Sequence, residues 1–277
     1  MAFRFHTVKL MRHSLFPIFC MIPMAIFAVA FLAVPLVQLA ASAAAGEMGW
    51  GIYAQIIKTP RYLDTMLATV LLSAMVTLAT LAVCLVVGLF LARHDFRGRG
   101  ALISILTMPL AFPGVVVGFM IILLAGRQGL LNQILPGRVV FAYSMPGLFL
   151  GYLYFSIPRV LVTVMAAAEK LDASLEEAAR TLGAPGWRVL VDVILPGLAP
   201  ALIAAGAIVF ATSMGAFGTA FTLATDIDVL PMVVYTEFTL QANIAMAAAL
   251  SVIMGAATWA ILLVARSLSG NTTAMGG

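Results

Sequence analysis

The chain has 277 residues, of which 63% are hydrophobic and 9% are charged, and its mean hydropathy is +1.11. Soluble domains hold roughly 45–50% apolar residues, so this composition excludes an ordinary soluble protein. Apolar runs of about 20 residues are long enough to cross a bilayer as helices, and their continuity excludes a β-barrel. The net charge of +4 does not indicate nucleic acid, because basic residues of membrane proteins gather in cytoplasmic loops. The sequence therefore predicts an all-α, polytopic protein that contacts membrane lipid and no nucleic acid.

Six hydrophobic spans follow one another within a single membrane domain, residues 14–267, flanked by tails at 1–13 and 268–277. The first apolar run exceeds the roughly 7–15 residues of a signal-peptide core, so we expect an uncleaved helix. The six spans are predicted at residues 14–40, 63–92, 101–125, 141–167, 197–222 and 240–265.

Positive charges predict the orientation of these spans. Ten basic residues lie before the first span, after the sixth, and in the loops after the second and fourth spans, against four in the opposite loops. Since basic residues favour the cytoplasmic side, both termini are predicted to be cytoplasmic. The ten are Arg4, Lys9, Arg12, Arg93, Arg97, Arg99, Lys170, Arg180, Arg188 and Arg266, and the four are Lys58, Arg61, Arg127 and Arg138.

Helix-breaking residues interrupt two of the spans. Pro109, Pro113 and Gly114 lie within the third, and Pro146 and Pro158 within the fourth. Such residues are tolerated where neighbouring helices or water satisfy the freed carbonyls. They indicate either helices bent around a transport pathway or ordinary packing kinks, and the sequence leaves both interpretations open.

A polar segment, residues 169–196, separates the fourth span from the fifth. Its apolar positions recur at helical spacing, which predicts a short amphipathic helix. Ser174 and Glu177 have the spacing of a capping box at its start, and Asp172 is the alternative cap. Gly183 predicts the end of this helix, and Pro185 the first turn of a second helix that leads back to the membrane.

The same segment carries a recognisable motif. Glu177-Ala178-Ala179, then Gly183, then Leu195-Pro196 resembles the EAA signature of ABC importer permeases, with Val193 where the family usually has Ile. In that family the segment docks into a cleft of the ATP-binding subunit. The resemblance therefore implies an ATPase-docking function for Glu177, Ala178, Ala179, Gly183, Leu195 and Pro196.

The resemblance also implies the partners. No phosphate-binding G-x-x-x-x-G-K-[ST] motif is present, so ATP and Mg²⁺ are expected on a separate cytoplasmic ABC ATPase dimer. The chain is expected to be non-catalytic, without a cofactor or metal of its own, and to lie in the bacterial inner membrane. A second permease subunit, identical or different, and an extracytoplasmic substrate-binding protein complete the expected importer.

A pathway segment is expected in the fifth span, which in this family lies near the inter-subunit pathway. The candidates there are Ser213, Gly215, Ala216, Phe217 and Gly218. Arg159 is the one ionisable residue deep within a span. It is expected either to line the pathway or to snorkel or pair near the cytoplasmic side, and the sequence favours the second alternative.

The solute is predicted less directly. Sulfate and molybdate permeases tend to carry Glu at the position of Ala216, and Asp226, Asp228 and Glu237 are predicted to be external. These features favour a polyamine such as spermidine or putrescine, with aminoethylphosphonate, ferric iron or an oxyanion as alternatives. An ion-coupled secondary transporter or a channel is the alternative function.

Overall fold

The protein is described by a computed structural model over residues 15–134, 141–223 and 227–274. Within these ranges every regular element is helical and no strand occurs, so the predicted all-α class is confirmed. The α-helices are α1 Leu15–Ala28, α2 Val34–Ala44, α3 Gly51–Lys58, α4 Pro60–Arg93, α5 Arg99–Thr107, α6 Gly114–Ala125, α7 Leu130–Ile134, α8 Met145–Lys170, α9 Ala173–Thr181, α10 Gly186–Arg188, α11 Leu195–Met214, α12 Phe217–Leu223, α13 Leu230–Tyr235 and α14 Ile244–Ala274.

In the described part of the chain, six helical stretches are long and apolar enough to cross a membrane, as predicted. Their ends differ from the predicted ones by a few residues at most positions. The helix α14 also continues to Ala274, into the segment predicted as a tail. The six stretches are Met21–Ala44, Pro60–Arg93, Gly114–Ile134, Met145–Lys170, Gly186–Met214 and Ile244–Ser267.

The third span is broken rather than continuous. After α5 the backbone forms a 3₁₀ turn at Met108–Ala111, and α6 begins only at Gly114. Pro109 and Pro113 account for the break, because proline has no N–H and restricts the residue before it. The prediction of one helix over 101–125 was wrong in this respect.

The fifth span begins earlier than predicted and is also broken. A π-helical segment, Val189–Ile194, joins α10 to α11 without interruption. Pro196 lacks the N–H that would bond the carbonyl of Asp192, which lies in this π-helical segment. At its other end α11 stops at Met214, two residues before α12, so the predicted span 197–222 is two helices.

The core of the bundle lies where α4, α8 and α11 pack together. Its fully buried side chains include Val76, Cys84, Val164 and Val209, and the Cys84 thiol donates to the carbonyl of Ile157 at 3.4 Å. The first span adds little to this core, since the side chains of its apolar stretch are exposed. The close-packed core therefore includes α8 and α11, the two helices that the polar segment 169–196 connects.

Candidate functional site

The polar segment 169–196, called here the coupling loop, begins with a capped helix. Asp172 is the N-cap of α9 and its carboxylate accepts a 2.9 Å hydrogen bond from the backbone N–H of Ser174. This bond holds the pKa of Asp172 below its ordinary value of 3.8. Ser174 therefore lies inside α9 and the predicted capping box is absent, whereas the alternative cap is confirmed.

The helix α9 ends in a left-handed turn at Gly183. The backbone φ of Gly183 is +81°, a conformation that favours glycine. The N–H of Gly183 bonds the carbonyl of Arg180, and the N–H of Ala184 bonds the carbonyl of Ala179, both at 3.0 Å. These two bonds form the Schellman motif, which closes a helix and reverses the chain. The sequence predicted this end from Gly183 alone.

The inward side of α9 is tied to the second span. Glu176 forms an ion pair with Arg93 at the end of α4, and the side chains are only 14% and 26% exposed. Arg99 adds a 3.3 Å bond to Glu169 and a 2.7 Å bond to the carbonyl of Leu91. Sequence reasoning missed Glu176, since adjacent glutamates give no sign of which one faces the bundle and Arg93 lies 83 residues earlier.

The outward side of α9 and of the turn that follows is apolar and open. Leu182 is 88% exposed, and Leu175 and Trp187 are also exposed. Glu177 and Arg180 line a cleft of about 200 Å³ between α9 and the end of α4, which the Arg93–Glu176 pair also lines. The surface combines apolar side chains with charges of both signs, which suits a protein partner. Leu175 and Leu182 belong to the apolar positions that recur at helical spacing in the sequence, whereas Trp187 was not singled out for this surface.

The coupling loop is continuous with two spans. At one end α8 runs into Lys170, and at the other α10 and the π-helical segment run into α11, where Leu195 and Pro196 lie. The two ends touch, because a Cβ at Gly197 would lie 2.4 Å from a methyl carbon of Leu171. A displacement of α9 would therefore be passed to α8 and α11 together.

A cavity of about 280 Å³ lies where the breaks of the third and fifth spans meet α8, and we call it the helix-break cavity. Irregular backbone at membrane depth is stable where it is buried in protein or lines a water-filled space. Its described lining residues come from the three segments: Pro109, Leu110, Phe112, Gly114, Val115, Phe155, Arg159, Thr212, Ala216, Gly218 and Thr219.

Close contacts hold the two breaks together beside the cavity. The Thr219 hydroxyl donates to the carbonyl of Gly114 at 3.0 Å, and the Tyr152 hydroxyl donates to the carbonyl of Ala216 at 2.6 Å. A Cβ at Gly118 would lie 1.6 Å from the Thr222 hydroxyl oxygen, so only glycine fits there. These contacts join residues more than 60 positions apart in the sequence.

Three of the predicted pathway residues line the helix-break cavity, namely Arg159, Ala216 and Gly218. Ser213 is fully buried, and Gly215 and Phe217 are exposed outside the lining. The structure adds both threonines, which sequence reasoning did not place in a pathway. It also brings Pro109 and Gly114 of the third span to the cavity, where the sequence left a pathway bend and a packing kink as alternatives.

The acidic residues after the fifth span have partners in the chain. Asp228 pairs with Arg61 at 3.4 Å, and Glu237 is buried and accepts a 2.9 Å hydrogen bond from the Tyr62 hydroxyl. Asp226 lies outside the described residues. No cluster of three His, Cys, Asp or Glu side chains suited to a metal occurs within 15–134, 141–223 and 227–274.

The sequence is similar to known transport proteins. The family model described as "Binding-protein-dependent transport system inner membrane component" matches residues 84–271. The molybdenum transport system permease protein ModB of Escherichia coli (strain K12) is 36% identical over 177 residues, covering 60% of this chain and 77% of ModB. The sulfate transport system permease protein CysT of the same strain is 31% identical over 182 residues, covering 65% and 66%.

A third relative is PhnU of Salmonella typhi, which is named as a 2-aminoethylphosphonate transport system permease. It is 30% identical over 226 residues, covering 79% of this chain and 78% of PhnU. Among solved structures, a chain of a bacterial alginate ABC transporter in complex with its alginate-bound periplasmic protein has a TM-score of 0.75 at 19% identity, covering 92% of this chain and 94% of that one. A chain of the MetNI methionine ABC transporter has a TM-score of 0.56 at 15% identity, covering 77% and 99%. Such identities show the shared fold.

Proposed function

Because this chain belongs to the family of binding-protein-dependent transport system inner membrane components, the non-catalytic permease subunits of ABC importers, we propose that its coupling loop docks onto the ATPase and moves the helices around the helix-break cavity. ATP is hydrolysed on a separate subunit in this class of importer. A second permease would supply the other half of the pore, and an extracytoplasmic binding protein would deliver the solute. The observation that carries the proposal is that α9 is joined to α8 by two residues, and to α11 through the Gly183 turn, α10 and the π-helical segment.

The docking residues act in two ways. Glu177, at the cleft beside α9, offers a carboxylate to the ATPase, and Ala178 keeps that part of the helix thin enough to enter a groove. Ala179 accepts the Schellman bond that closes the helix at Gly183, whose left-handed turn sets the angle of the chain. Leu195 and Pro196 begin the span that the loop moves.

Replacing Leu182 with Ser tests the docking surface directly. Leu182 is 88% exposed, so the change leaves folding intact but removes apolar area from the proposed contact. We expect the variant to retain less ATPase on purification and to import less solute per ATP hydrolysed in proteoliposomes. Met48→Ser is the matched control, because Met48 is exposed outside the spans at the opposite end of the bundle.

The proposal fails if Leu182→Ser and Met48→Ser both retain the ATPase and import solute as the unchanged chain does. Solute uptake driven by an ion gradient without any ATPase would instead support the secondary-transporter alternative. The family membership of the chain does not favour that alternative.

We further propose that the solute is an oxyanion. The relatives ModB, CysT and PhnU are named for molybdenum, sulfate and 2-aminoethylphosphonate. In neutral water, molybdenum takes the form of the molybdate anion. The polyamine prediction finds no support among them. Its structural basis is also weakened, because Asp228 and Glu237 are occupied by Arg61 and Tyr62.

Competition between solutes checks this assignment. Vesicles that contain the whole importer are expected to take up molybdate, sulfate or 2-aminoethylphosphonate when ATP is supplied. Uptake of spermidine or putrescine in place of all three anions would restore the polyamine prediction.

A further inference from the structure

We propose that the helix-break cavity is a binding site for the anionic group of the transported solute, with the guanidinium of Arg159 as its charged ligand. This inference rests on the proposed function of the chain as an importer of oxyanions. It adds that the permease itself, and not only the binding protein, recognises the charge of the solute.

Arg159 lies deep in the membrane domain. It is the fifteenth residue of α8, Met145–Lys170, which at 1.5 Å per residue places it about 21 Å from one end and about 16 Å from the other. A charged side chain at such depth is costly unless it faces a cavity, a partner or water. Among the described residues Arg159 has no acidic partner. Its side chain is exposed and lines the open side of the cavity.

The side chain of Arg159 does not point toward Lys170, the nearer end of α8. Its guanidinium carbon lies 5.7 Å from the centre of the Phe155 ring, which is one turn further from the coupling loop. Snorkelling would carry the charge the other way, toward Lys170. This direction favours the pathway alternative for Arg159 over snorkelling. The contact with Phe155 leaves the N–H groups at the edge of the guanidinium free for a ligand.

The described lining of the cavity carries one positive charge and no negative one. Arg159 is its only ionisable residue, and Ala216 lies where sulfate and molybdate permeases tend to carry Glu. The threonine hydroxyls are already committed, since Thr212 donates to the carbonyl of Ile208 and Thr219 to that of Gly114. Arg159 is thus the one side-chain donor there that is available to a solute. Its planar fork of N–H groups matches the geometry of an oxyanion.

The backbone around the cavity adds to this preference. The helix α6 begins at Gly114, and Gly114 and Val115 both line the cavity. The first N–H groups of a helix give its start a partial positive charge, which complements Arg159. The cavity volume of about 280 Å³ is several times the roughly 30 Å³ that one water molecule occupies. A small oxyanion therefore fits together with some of its hydration waters.

The cavity also lies where the coupling loop can reach it. Arg159 is on α8 and Thr212 is on α11, the two helices that the loop joins. Tilting them would change the distance between Arg159 and the breaks that face it. A bound anion would then be released when the helices move apart.

Equilibrium dialysis of molybdate against the whole transporter in nanodiscs, without binding protein, tests the site independently of transport. The unchanged transporter should bind molybdate at a site that Arg159→Gln weakens by about tenfold or more, the loss expected for one charge-assisted hydrogen bond. Arg159→Lys should lose less, because it keeps the charge. Arg266→Gln, which removes an exposed arginine outside this cavity, is the matched control and should bind like the unchanged chain.

Uptake in proteoliposomes separates this inference from the proposed function. With molybdate, sulfate or 2-aminoethylphosphonate, Arg159→Gln should lower the maximal uptake rate at least about tenfold while the ATPase remains bound and active. Equal molybdate binding by the unchanged and Arg159→Gln transporters overturns the site. Loss of the second permease from the Arg159→Gln complex also overturns it, because Arg159 would then be a subunit contact. If the site binds molybdate but none of the three anions is imported, the proposed oxyanion cargo fails instead.

Discussion

The coupling loop is one contiguous segment, residues 169–196, whereas the helix-break cavity is assembled from three segments that lie far apart in the chain. The loop is exposed, charged and stabilised by local bonds, such as that from Ser174 to Asp172. The cavity depends on close packing, as where Gly118 meets Thr222. The difference shows that the segment proposed to dock onto the ATPase is held largely by local bonds, while the cavity proposed to bind solute depends on how the spans pack. The following substitutions test each side of the comparison.

The largest effect is expected at the packing contact beside the cavity. Gly118→Ala would place a Cβ 1.6 Å from the Thr222 hydroxyl, so α6 and α12 must separate. Overpacking of this kind costs about 3 kcal/mol, and we expect an apparent Tm about 5 °C lower together with loss of uptake. Gly255→Ala is the control, since Gly255 on α14 has open space around it and should leave both measurements unchanged. A stable, active Gly118→Ala chain would contradict the described junction.

The next effect is expected where the loop is tied to α4. Glu176→Gln removes the charge that faces Arg93 in a mostly buried pair, and we expect α9 to lose about 1–2 kcal/mol of protection in hydrogen exchange. Uptake per ATP should fall, because a looser loop transmits less movement. Arg61→Gln breaks the exposed pair with Asp228 and should change stability by about 0.5 kcal/mol or less. Equal effects of the two substitutions would show that the Arg93 pair has no special function.

An effect no larger than that of Glu176→Gln is expected at the end of α9. The Cβ that Gly183→Ala adds would meet no atom within 4 Å, but alanine is strained at a φ of +81°, at a cost of about 1–2 kcal/mol. Gly183→Asn should be tolerated better, because asparagine adopts the left-handed conformation more readily. We expect uptake per ATP to decline in the order Gly, Asn, Ala. The opposite order would exclude backbone strain as the cause.

The smallest effect is expected from the cap of α9. The pKa of Asp172 is lowered, so its carboxylate stabilises the folded loop above the unfolded pKa, and this stabilisation is lost as the pH falls through the lowered value. Hydrogen exchange at the Ser174 amide should therefore show the same protection at pH 5 and pH 8, after correction for intrinsic rates. Asp172→Asn should keep most of that protection and Asp172→Ala should lose it. A marked decline in protection between pH 8 and pH 5 would count against this cap.

The sequence predicts the coupling loop well for a physical reason. Its helix start, its end at Gly183 and its motif depend on residues a few positions apart, and such local signals are readable in one chain. The number of spans follows from hydropathy in the same way. The capping box at Ser174 was wrong, and the inward ion pair of Glu176 was missed because its partner is distant in sequence.

The helix-break cavity was predictable only in part. Pro109 and Gly215 indicate breaks, but periodicity treats each span as a single helix, and nothing local shows that two breaks meet. Thr219 lies at the cavity, where its hydroxyl donates a hydrogen bond to the carbonyl of Gly114, 105 positions earlier in the sequence. Ser213 was predicted to line the pathway, yet it faces the interior, since the rotation of a helix end depends on packing.

Access to the helix-break cavity tests most directly whether the coupling loop controls it. A cysteine in place of Thr212, with Cys20 replaced by Ser and Cys84 left buried, would be labelled in proteoliposomes by an impermeant thiol reagent. We predict that ATP and loaded binding protein switch the side from which this cysteine reacts, and that Leu182→Ser prevents the switch. Labelling from the same side with and without ATP would contradict the account.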